Sequence, residues 1–190
     1  VITYDKIGFN SFVTAKASYA YRMRVFRDAR LALGLDAGIV QLSVDGAKLQ
    51  QALGTVDNGI PSGSAIAPDF GFGAYFNTSD FYLGFSVQHL FAPKLGLSSP
   101  DGSSYAFTIG QHYYIMGGYN YALNRNLTLK PAVFIKSDFV STQFDANITL
   151  LFNNLIWGGG SYRLDDAFIA MVGMNITSDL KIGYSYDITT

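Results

Sequence analysis

Apolar and polar side chains alternate along the last stretch of the chain. From Leu180 to Ile188 every second residue is aliphatic or aromatic, and the residues between them are lysine, glycine, serine and aspartate. Successive side chains of a β-strand point to opposite faces, so this alternation predicts a strand with one apolar and one polar face. Its length is close to the roughly nine to eleven residues that a tilted strand needs to cross the apolar core of a membrane.

The same alternation recurs through the chain and predicts about ten strands. The predicted strands span residues 13–25, 31–39, 69–77, 81–88, 111–121, 127–136, 143–152, 155–163, 167–176 and 180–188. Pro131 lies inside the sixth of these strands and has no N–H to donate to the ladder, so we expect a bulge or another irregularity there. Residues 47–53 are expected to form a short helix between the second and third strands.

The connections between the predicted strands alternate in length. Tight turns follow the first, third, fifth, seventh and ninth strands, whereas the longest connections, residues 45–67 and 91–105, follow the second and the fourth. Outer-membrane barrels have this asymmetry, with tight periplasmic turns and longer outside loops. A soluble sandwich also alternates, but it buries its apolar face in a core of its own. The pattern therefore favours an outer-membrane barrel whose two longest connections face a partner outside the cell.

The composition supports a membrane-spanning sheet. Charged residues are 14% and aromatic residues 15% of the 190 residues, whereas an ordinary soluble domain has roughly 25% charged residues. No window approaches the ~18 uninterrupted apolar residues of a membrane helix. The net charge of −1, without a lysine or arginine cluster, argues against nucleic-acid binding. Since cysteine is absent, the chain has no disulfide framework and no thiolate site.

Charged residues on the polar faces of the predicted strands are candidates for the lumen of the barrel. They could line an aqueous pore, or they could pair with one another and plug the lumen. Their mixed signs favour pairing over an ion-selective channel. The lumen-facing candidates are Lys16, Arg22, Arg24, Asp36, Asp69, Lys130, Lys136, Asp145, Lys181 and Asp187.

The sequence offers little for catalysis or metal binding. Its histidines are His89 and His112, and continued strand alternation from Ser86 would place His89 on the opposite face, which argues against a Ser/His pair. We expect His89 to mark the end of the fourth strand. No metal-ligand spacing or phosphate-binding loop is present, and the glycine runs are expected to leave room for large neighbouring side chains. We therefore predict no catalytic, cofactor-binding or metal-binding residue.

Six segments, taken in order, carry a resemblance to a known family. They are LALGLDAG (31–38), PDFGFGAYF (68–76), FYLGFSVQHL (81–90), LKPA (129–132), WGGGSYR (157–163) and IGYSYD (182–187). This ordered set, above all the closing Gly-Tyr-Ser-Tyr-Asp, resembles the PorP/SprF family of outer-membrane proteins in the type IX secretion and gliding systems of Bacteroidota. The resemblance extends from about Tyr19 to the end of the chain.

The resemblance implies a location in the outer membrane of a Gram-negative bacterium. It implies as partners a secreted surface protein, such as the C-terminal region of an adhesin, other components of the secretion system, and the surrounding outer-membrane lipid. It implies no catalytic residue. A chain of this kind would help a secreted cargo to reach the cell surface or to stay anchored there.

We therefore expect residues 1–190 to form a single all-β domain, a transmembrane antiparallel β-barrel. Members of the family resemble barrels with more strands, which implies that this chain is part of a larger barrel and is truncated at both ends. Two other functions stay open from the residues alone. One is a porin-like solute channel of the outer membrane, and the other is a barrel enzyme that acts on lipids.

Overall fold

The computed structural model describes residues 1–54 and 57–189, and it contains fourteen strands and one helix within them. The helix, α1, spans Gly46–Leu53. The strands are β1 (Ile2–Ile7), β2 (Asn10–Phe26), β3 (Ala29–Val44), β4 (Gly63–Asn77), β5 (Phe81–Gln88), β6 (Lys94–Ser98), β7 (Ser104–Thr108), β8 (His112–Tyr119), β9 (Tyr121–Ala122), β10 (Leu127–Ser137), β11 (Thr142–Phe152), β12 (Ile156–Arg163), β13 (Ala167–Asn175) and β14 (Lys181–Thr189).

Within the described residues, twelve strands form one sheet that follows the order of the chain. Its order is β1-β2-β3-β4-β5-β8-β10-β11-β12-β13-β14, with the short β9 beside β10, while β6 and β7 pair only with each other. The ladders from β10 to β14 are antiparallel, as is the β1–β2 pair. Among these residues, no helix is long and apolar enough to cross a membrane.

The described residues fall into two compact units. The first unit is built from residues 1–20, 34–72 and 87–112, and the second from residues 21–33, 73–86 and 113–190.

A hairpin inside the second long connection supplies the core of the first unit. Residues 94–108, here called the inner hairpin, consist of β6, β7 and the turn between them. Leu95 and Leu97 of the hairpin are buried against Val40, Leu42 and Ala67 of β3 and β4. Strand alternation places those three residues on the polar faces of β3 and β4. The inner hairpin therefore covers part of the surface that was predicted to line the lumen.

The opposite faces of the strands are apolar and exposed. On β13, Phe168, Ala170, Val172 and Met174 are exposed, and the residues between them are partly or fully buried. The same holds on β3, where Leu35 is 64% exposed. A continuous exposed apolar face is what a strand needs where it meets lipid.

Pro131 lies at a gap in the strand pairing along one edge of β10, and no bulge forms there. The ladder between β10 and β11 runs through Pro131 without a break. At the other edge, β10 pairs with β8 from Ala132 onwards and with β9 at Thr128 and Leu129, so no pair forms at Lys130 or Pro131. The register is the same on both sides of the gap, so no residue has been inserted. The expected irregularity is confirmed in this form.

Most predicted strands are confirmed, and three strands were missed. β5 has the predicted bounds, and α1 lies where a short helix was expected. β1 and the two strands of the inner hairpin were not predicted. The predicted strand 111–121 is divided at Asn120 into β8 and β9, and β4 begins at Gly63 instead of Asp69. The connection 91–105 was treated as irregular, but the structure places most of it in the inner hairpin.

Glycines on β13 and β14 make room for the indole of Trp157 on β12. A Cβ built on Gly173 would overlap the Cζ2 atom of Trp157, and one built on Gly183 would lie 2.8 Å from the same atom. On Gly158 the nearest atom to such a Cβ is 3.7 Å away. Gly158 therefore offers a matched control on the strand of Trp157 itself.

We expect Gly173→Ala to lower the free energy of unfolding by about 1–3 kcal/mol, because the added methyl group overpacks the site. It should also shift the fluorescence of Trp157, since the indole must move. Gly158→Ala should change neither. Denaturant unfolding followed by fluorescence measures both effects, and equal behaviour of the two variants would contradict this account of the packing.

Candidate functional site

Three of the predicted lumen residues meet in the first unit. Lys16 Nζ lies 2.8 Å from Asp69 Oδ2 and 3.2 Å from Asp36 Oδ1. The side chain of Asp69 is fully buried, whereas those of Lys16 and Asp36 are 15% and 25% exposed. These residues come from three consecutive strands of the sheet, β2, β3 and β4. One ammonium group is therefore shared by two carboxylates.

His89 joins this cluster from the end of β5. Its Nδ1 lies 2.9 Å from Asp69 Oδ2, the oxygen that also contacts Lys16. Its ring makes an edge contact with the ring of His112, at 6.0 Å between centroids. His89 has a left-handed backbone, with φ of 55°, directly after β5 ends at Gln88. The prediction that His89 marks the strand end is confirmed, but the strand alternation used to place its side chain does not continue to it.

The contacts in this ion cluster, defined as Lys16, Asp36, Asp69 and His89, are short but poorly aligned. None of them has hydrogen-bond geometry, and Asp69 Oδ1 has no hydrogen-bond partner among the described residues. The Lys16 ammonium is therefore held by charge attraction to the two carboxylates, and its removal would leave the buried Asp69 carboxylate without that counter-charge. Gly71 makes room for it, because a Cβ there would overlap the Asp36 carboxylate.

The ion cluster and the inner hairpin are linked through the stem of the hairpin. His89 and His112 bracket the segment that contains the hairpin, and their rings contact each other. The N–H of Ala92 donates to the carbonyl oxygen of His89 at 2.8 Å. The side-chain amide of Gln111 donates to the carbonyl oxygen of Leu90. These contacts fix the two ends of the stem beside the buried carboxylate of Asp69.

The two long connections of the first unit are joined by hydrogen bonds. The carbonyl oxygen of Gly59 accepts from the hydroxyls of Ser99 and Tyr105, both at 2.9 Å. The N–H of Asp101 donates to the carbonyl oxygen of Asn58 at 3.2 Å. Residues 45–62 and 89–111 are here called the joined connections. The two loops predicted to face a partner are thus brought together.

Helix α1, within the joined connections, begins at an aspartate cap. Asp45 Oδ1 accepts from the N–H of Lys48 at 3.2 Å, and Asp45 Oδ2 lies 2.9 Å from Lys48 Nζ. The hydrogen bonds from Lys48 lower the pKa of the Asp45 carboxyl below its usual range. The helix ends at Leu53, and the left-handed backbone of the next residue, Gly54, lets its N–H donate to the carbonyl oxygens of Gln50 and Gln51.

The cap of α1 predicts a pH dependence for this part of the joined connections. Because the folded-state pKa of Asp45 is lowered, the cap stabilises α1 fully above the ordinary carboxyl pKa of about 3.9. That stabilisation is lost as the pH falls through the lowered pKa. Asp45→Asn should keep the cap and remove this dependence, whereas Asp45→Ala should loosen α1 at every pH. Amide hydrogen exchange in residues 46–52 measures the difference, and identical pH profiles of the wild type and Asp45→Asn would contradict it.

The other seven predicted lumen residues all lie in the second unit. Asp145 pairs with Arg163, with Arg163 Nε 3.0 Å from Asp145 Oδ1. Sequence reasoning missed Arg163, although counting in steps of two from Trp157 reaches it on the same strand face. Lys130 and Lys181 lie in the wall of one cavity. Four candidates are exposed and have no ion pair among the described residues: Arg22, Arg24, Lys136 and Asp187.

Within the described part of the chain, no group of three or more histidine, aspartate or glutamate side chains is arranged to hold a metal ion. The ion cluster is instead a neutralising network with an ammonium group at its centre. It can hold the strands and the hairpin stem together. Because the Asp69 carboxylate is buried, loss of its Lys16 partner should destabilise this arrangement.

Solved structures of two membrane transport proteins are similar to this chain. One is the TodX deltaS2S3 mutant monoaromatic hydrocarbon channel, with 12% identity, a TM-score of 0.47, and coverage of 94% of this chain and 64% of the other. The second is the Ralstonia pickettii toluene transporter TbuX, with 14% identity, a TM-score of 0.48, and coverage of 95% and 63%. This chain thus spans less than two thirds of the length of either protein. No curated protein matches it significantly.

The family comparison covers the whole chain. The model described as "Type IX secretion system membrane protein PorP/SprF" matches residues 1–190. This confirms the resemblance seen in the strand motifs and extends it to the residues before Tyr19. The family is one of outer-membrane proteins, so the predicted location and the predicted fold class, an antiparallel transmembrane β-barrel, are confirmed with it. The chain belongs to the PorP/SprF family of type IX secretion system membrane proteins.

Proposed function

We propose that this chain is an accessory of type IX secretion that binds a secreted surface protein and anchors it at the cell surface. The proposal rests on the joined connections: hydrogen bonds hold two long loops of the first unit together, so that they form one surface. The C-terminal region of an adhesin is the partner we expect, in the setting of the secretion system and of gliding motility.

The joined connections have the features of a binding surface. Tyr105 of the inner hairpin is 45% exposed and its hydroxyl bonds to Gly59, and Asp57, Asn58 and Asp101 are exposed next to that contact. Exposed aromatic side chains are enriched at the energetic centres of interfaces, and polar residues commonly surround them. Because hydrogen bonds already order the loops, a partner binds them at a lower cost in conformational entropy.

Charged residues on the polar faces of the strands form ion pairs, which supports a structural role for them. In the ion cluster and in the Asp145–Arg163 pair, opposite charges neutralise one another. We propose that these pairs hold the barrel wall and the inner hairpin in place. The chain is proposed to carry no catalytic residue and to bind no nucleic acid, and its placement within a larger barrel stays a prediction.

A porin-like solute channel is the alternative function. The inner hairpin argues against it, because Leu95 and Leu97 cover polar strand faces of the first unit that an open channel would expose to water. Planar-bilayer conductance separates the two functions, since a channel conducts steadily and a plugged anchor does not.

The proposal is tested by gentle detergent extraction of the native membrane followed by mass spectrometry of the proteins that co-purify. We expect a secreted surface protein in stoichiometric amount. Replacing the exposed side chains at Asp57, Asn58 and Asp101 with serine should reduce its recovery at least roughly tenfold, as expected when several interface contacts are lost together.

A matched variant with serine at Asn124 and Arg125, in a short turn, should co-purify the same protein as the wild type. Isolation of the chain alone, or equal recovery with the two variants, would contradict the proposal.

A further inference from the structure

The second unit contains a cavity that the proposed function does not use. Its volume is about 390 Å³, and it is lined by residues of β5, β8 and β10–β14. This volume lies within the range of roughly 300–1,000 Å³ that is usual for small-molecule sites. The side chains that matter for its chemistry are Tyr82, Lys130, Asn147, Trp157, Asn175 and Lys181.

The cavity is cationic. Lys130 and Lys181 line it, and no described residue of its lining is acidic. Neither lysine has an ion-pair partner among the described residues. Asp145, which lies on the same face of β11 as Asn147, is already paired with Arg163. Two ammonium groups facing one space repel each other, and an anion bound between them relieves that repulsion.

Two aromatic rings form apolar walls of the cavity and are set back by glycines. Trp157 occupies the space that a side chain would need at Gly173 and Gly183. Tyr82 occupies the corresponding space at Gly118 on β8. Both rings therefore lie close to the sheet, and neither fills the cavity. Aromatic rings placed in this way pack against the C–H faces of flat or ring-shaped ligands.

Side-chain amides add hydrogen-bonding groups between the two aromatic walls. Among the described residues, the amide nitrogen of Asn147 has only a long contact of 4.0 Å with the sulfur of Met171, while its oxygen accepts from Thr149. Asn147 therefore keeps donor capacity for a ligand. Asn175 also lines the cavity; its amide nitrogen donates to the carbonyl oxygen of Asn154, so its amide oxygen is the group that can accept from a ligand.

We propose that this cavity binds an anionic sugar, a six-membered sugar ring that carries a carboxylate or a phosphate. The lysines bind the anion, the amides bind hydroxyl groups, and Trp157 and Tyr82 pack against the ring. The inference is independent of the secreted partner, because none of the residues involved belongs to the joined connections.

The test uses the fluorescence of Trp157, the single tryptophan of the chain. The full chain, purified in detergent at constant ionic strength, is titrated with glucuronate, glucose 6-phosphate and glucose. We expect the two anionic sugars to change the fluorescence saturably and glucose to have no effect at the same concentrations. Tighter binding of glucuronate would indicate a carboxylate ligand, and tighter binding of glucose 6-phosphate would indicate a phosphate ligand.

Charge-removing variants locate the binding. Lys130→Met and Lys181→Met should each weaken binding by roughly tenfold, the loss expected for one charge-assisted hydrogen bond. Lys136→Met is the matched control, because it lies on the same strand and face as Lys130 but outside the cavity lining, and it should bind as the wild type does.

The folded state of each variant is checked by its heat-dependent electrophoretic migration. Lys181→Gln serves as a second variant at the exposed start of β14. No saturable response to either anion, the same response to glucose, or unchanged binding in the variants of Lys130 and Lys181 would overturn the proposal.

Discussion

Replacing Lys16 with methionine is expected to lower the free energy of unfolding by about 3 kcal/mol, the lower end of what breaking a buried ion pair costs. The reason is the environment of Asp69, whose side chain is fully buried and contacts the Lys16 ammonium at 2.8 Å. Without that ammonium group, Asp36 and Asp69 both lose the Lys16 counter-charge that they share. A buried carboxylate without a counter-charge is much more costly than an apolar side chain of similar size.

Urea unfolding in detergent micelles, followed by electrophoretic migration, measures this loss. Lys94→Met removes a lysine from the exposed face of the inner hairpin, and it should change the free energy of unfolding by less than about 0.5 kcal/mol. The double variant Lys16→Met with Asp69→Leu should recover part of the loss, because it removes both charges. Equal stability of Lys16→Met and Lys94→Met would show that the ion cluster does not stabilise the fold.

Replacing Leu95 with aspartate is expected to release the inner hairpin and open a conducting path. Leu95 is fully buried in the core that joins the hairpin to β3 and β4. An isolated carboxylate cannot stay in that core, so the hairpin must leave it or the core must take up water. In planar bilayers the wild type should show no steady conductance, whereas Leu95→Asp should show conductance that persists at low voltage.

The matched control for this prediction is Ser98→Asp. Ser98 lies on the same strand, β6, but on its exposed face, so the same charge is added without entering the core. It should leave conductance at the wild-type level and should leave residues 90–111 resistant to protease, whereas Leu95→Asp should make them sensitive. Steady conductance of the wild type would instead favour the channel function. A Leu95→Asp variant without conductance would contradict the proposal that the hairpin plugs the lumen.

Most strands of the sheet could be predicted because one face of each is apolar and meets lipid. On β13, on residues 33–39 of β3 and on residues 81–85 of β5, the exposed residues are the apolar ones, so the alternation in the sequence is strong. The alternation weakens where a second layer covers the inner face. Val87, predicted to point outward, is 5% exposed, and Val40 and Leu42 place apolar side chains on the otherwise polar face of β3.

The inner hairpin could not be predicted from alternation alone. Leu95 and Leu97 alternate with Lys94, Gly96 and Ser98, but the stretch is short and lies between prolines and glycines. Such a segment is equally typical of an exposed loop. What decides its structure is burial against β3 and β4, which depends on contacts distant in the sequence.

The sequence alone also could not predict which residues form the ion cluster. Alternation placed Lys16, Asp36 and Asp69 on polar faces, but only the strand register decides which of them meet. His89 was missed as a member because its left-handed backbone turns its side chain to Asp69. Arg163 was missed because Gly158, Gly159 and Gly160 have no side chains, so alternation did not show which face of β12 is polar.

We propose that this chain holds a secreted protein at the cell surface, and the surface proteome of cells with and without the chain tests this most directly. Surface proteins released by mild protease treatment are quantified in the wild-type strain, in a deletion strain, and in deletion strains complemented with the wild-type chain or with the variant of Asp57, Asn58 and Asp101. We predict that at least one secreted protein disappears from the surface on deletion, returns with the wild-type chain, and does not return with the variant. An unchanged set of surface proteins in the deletion strain would contradict the account.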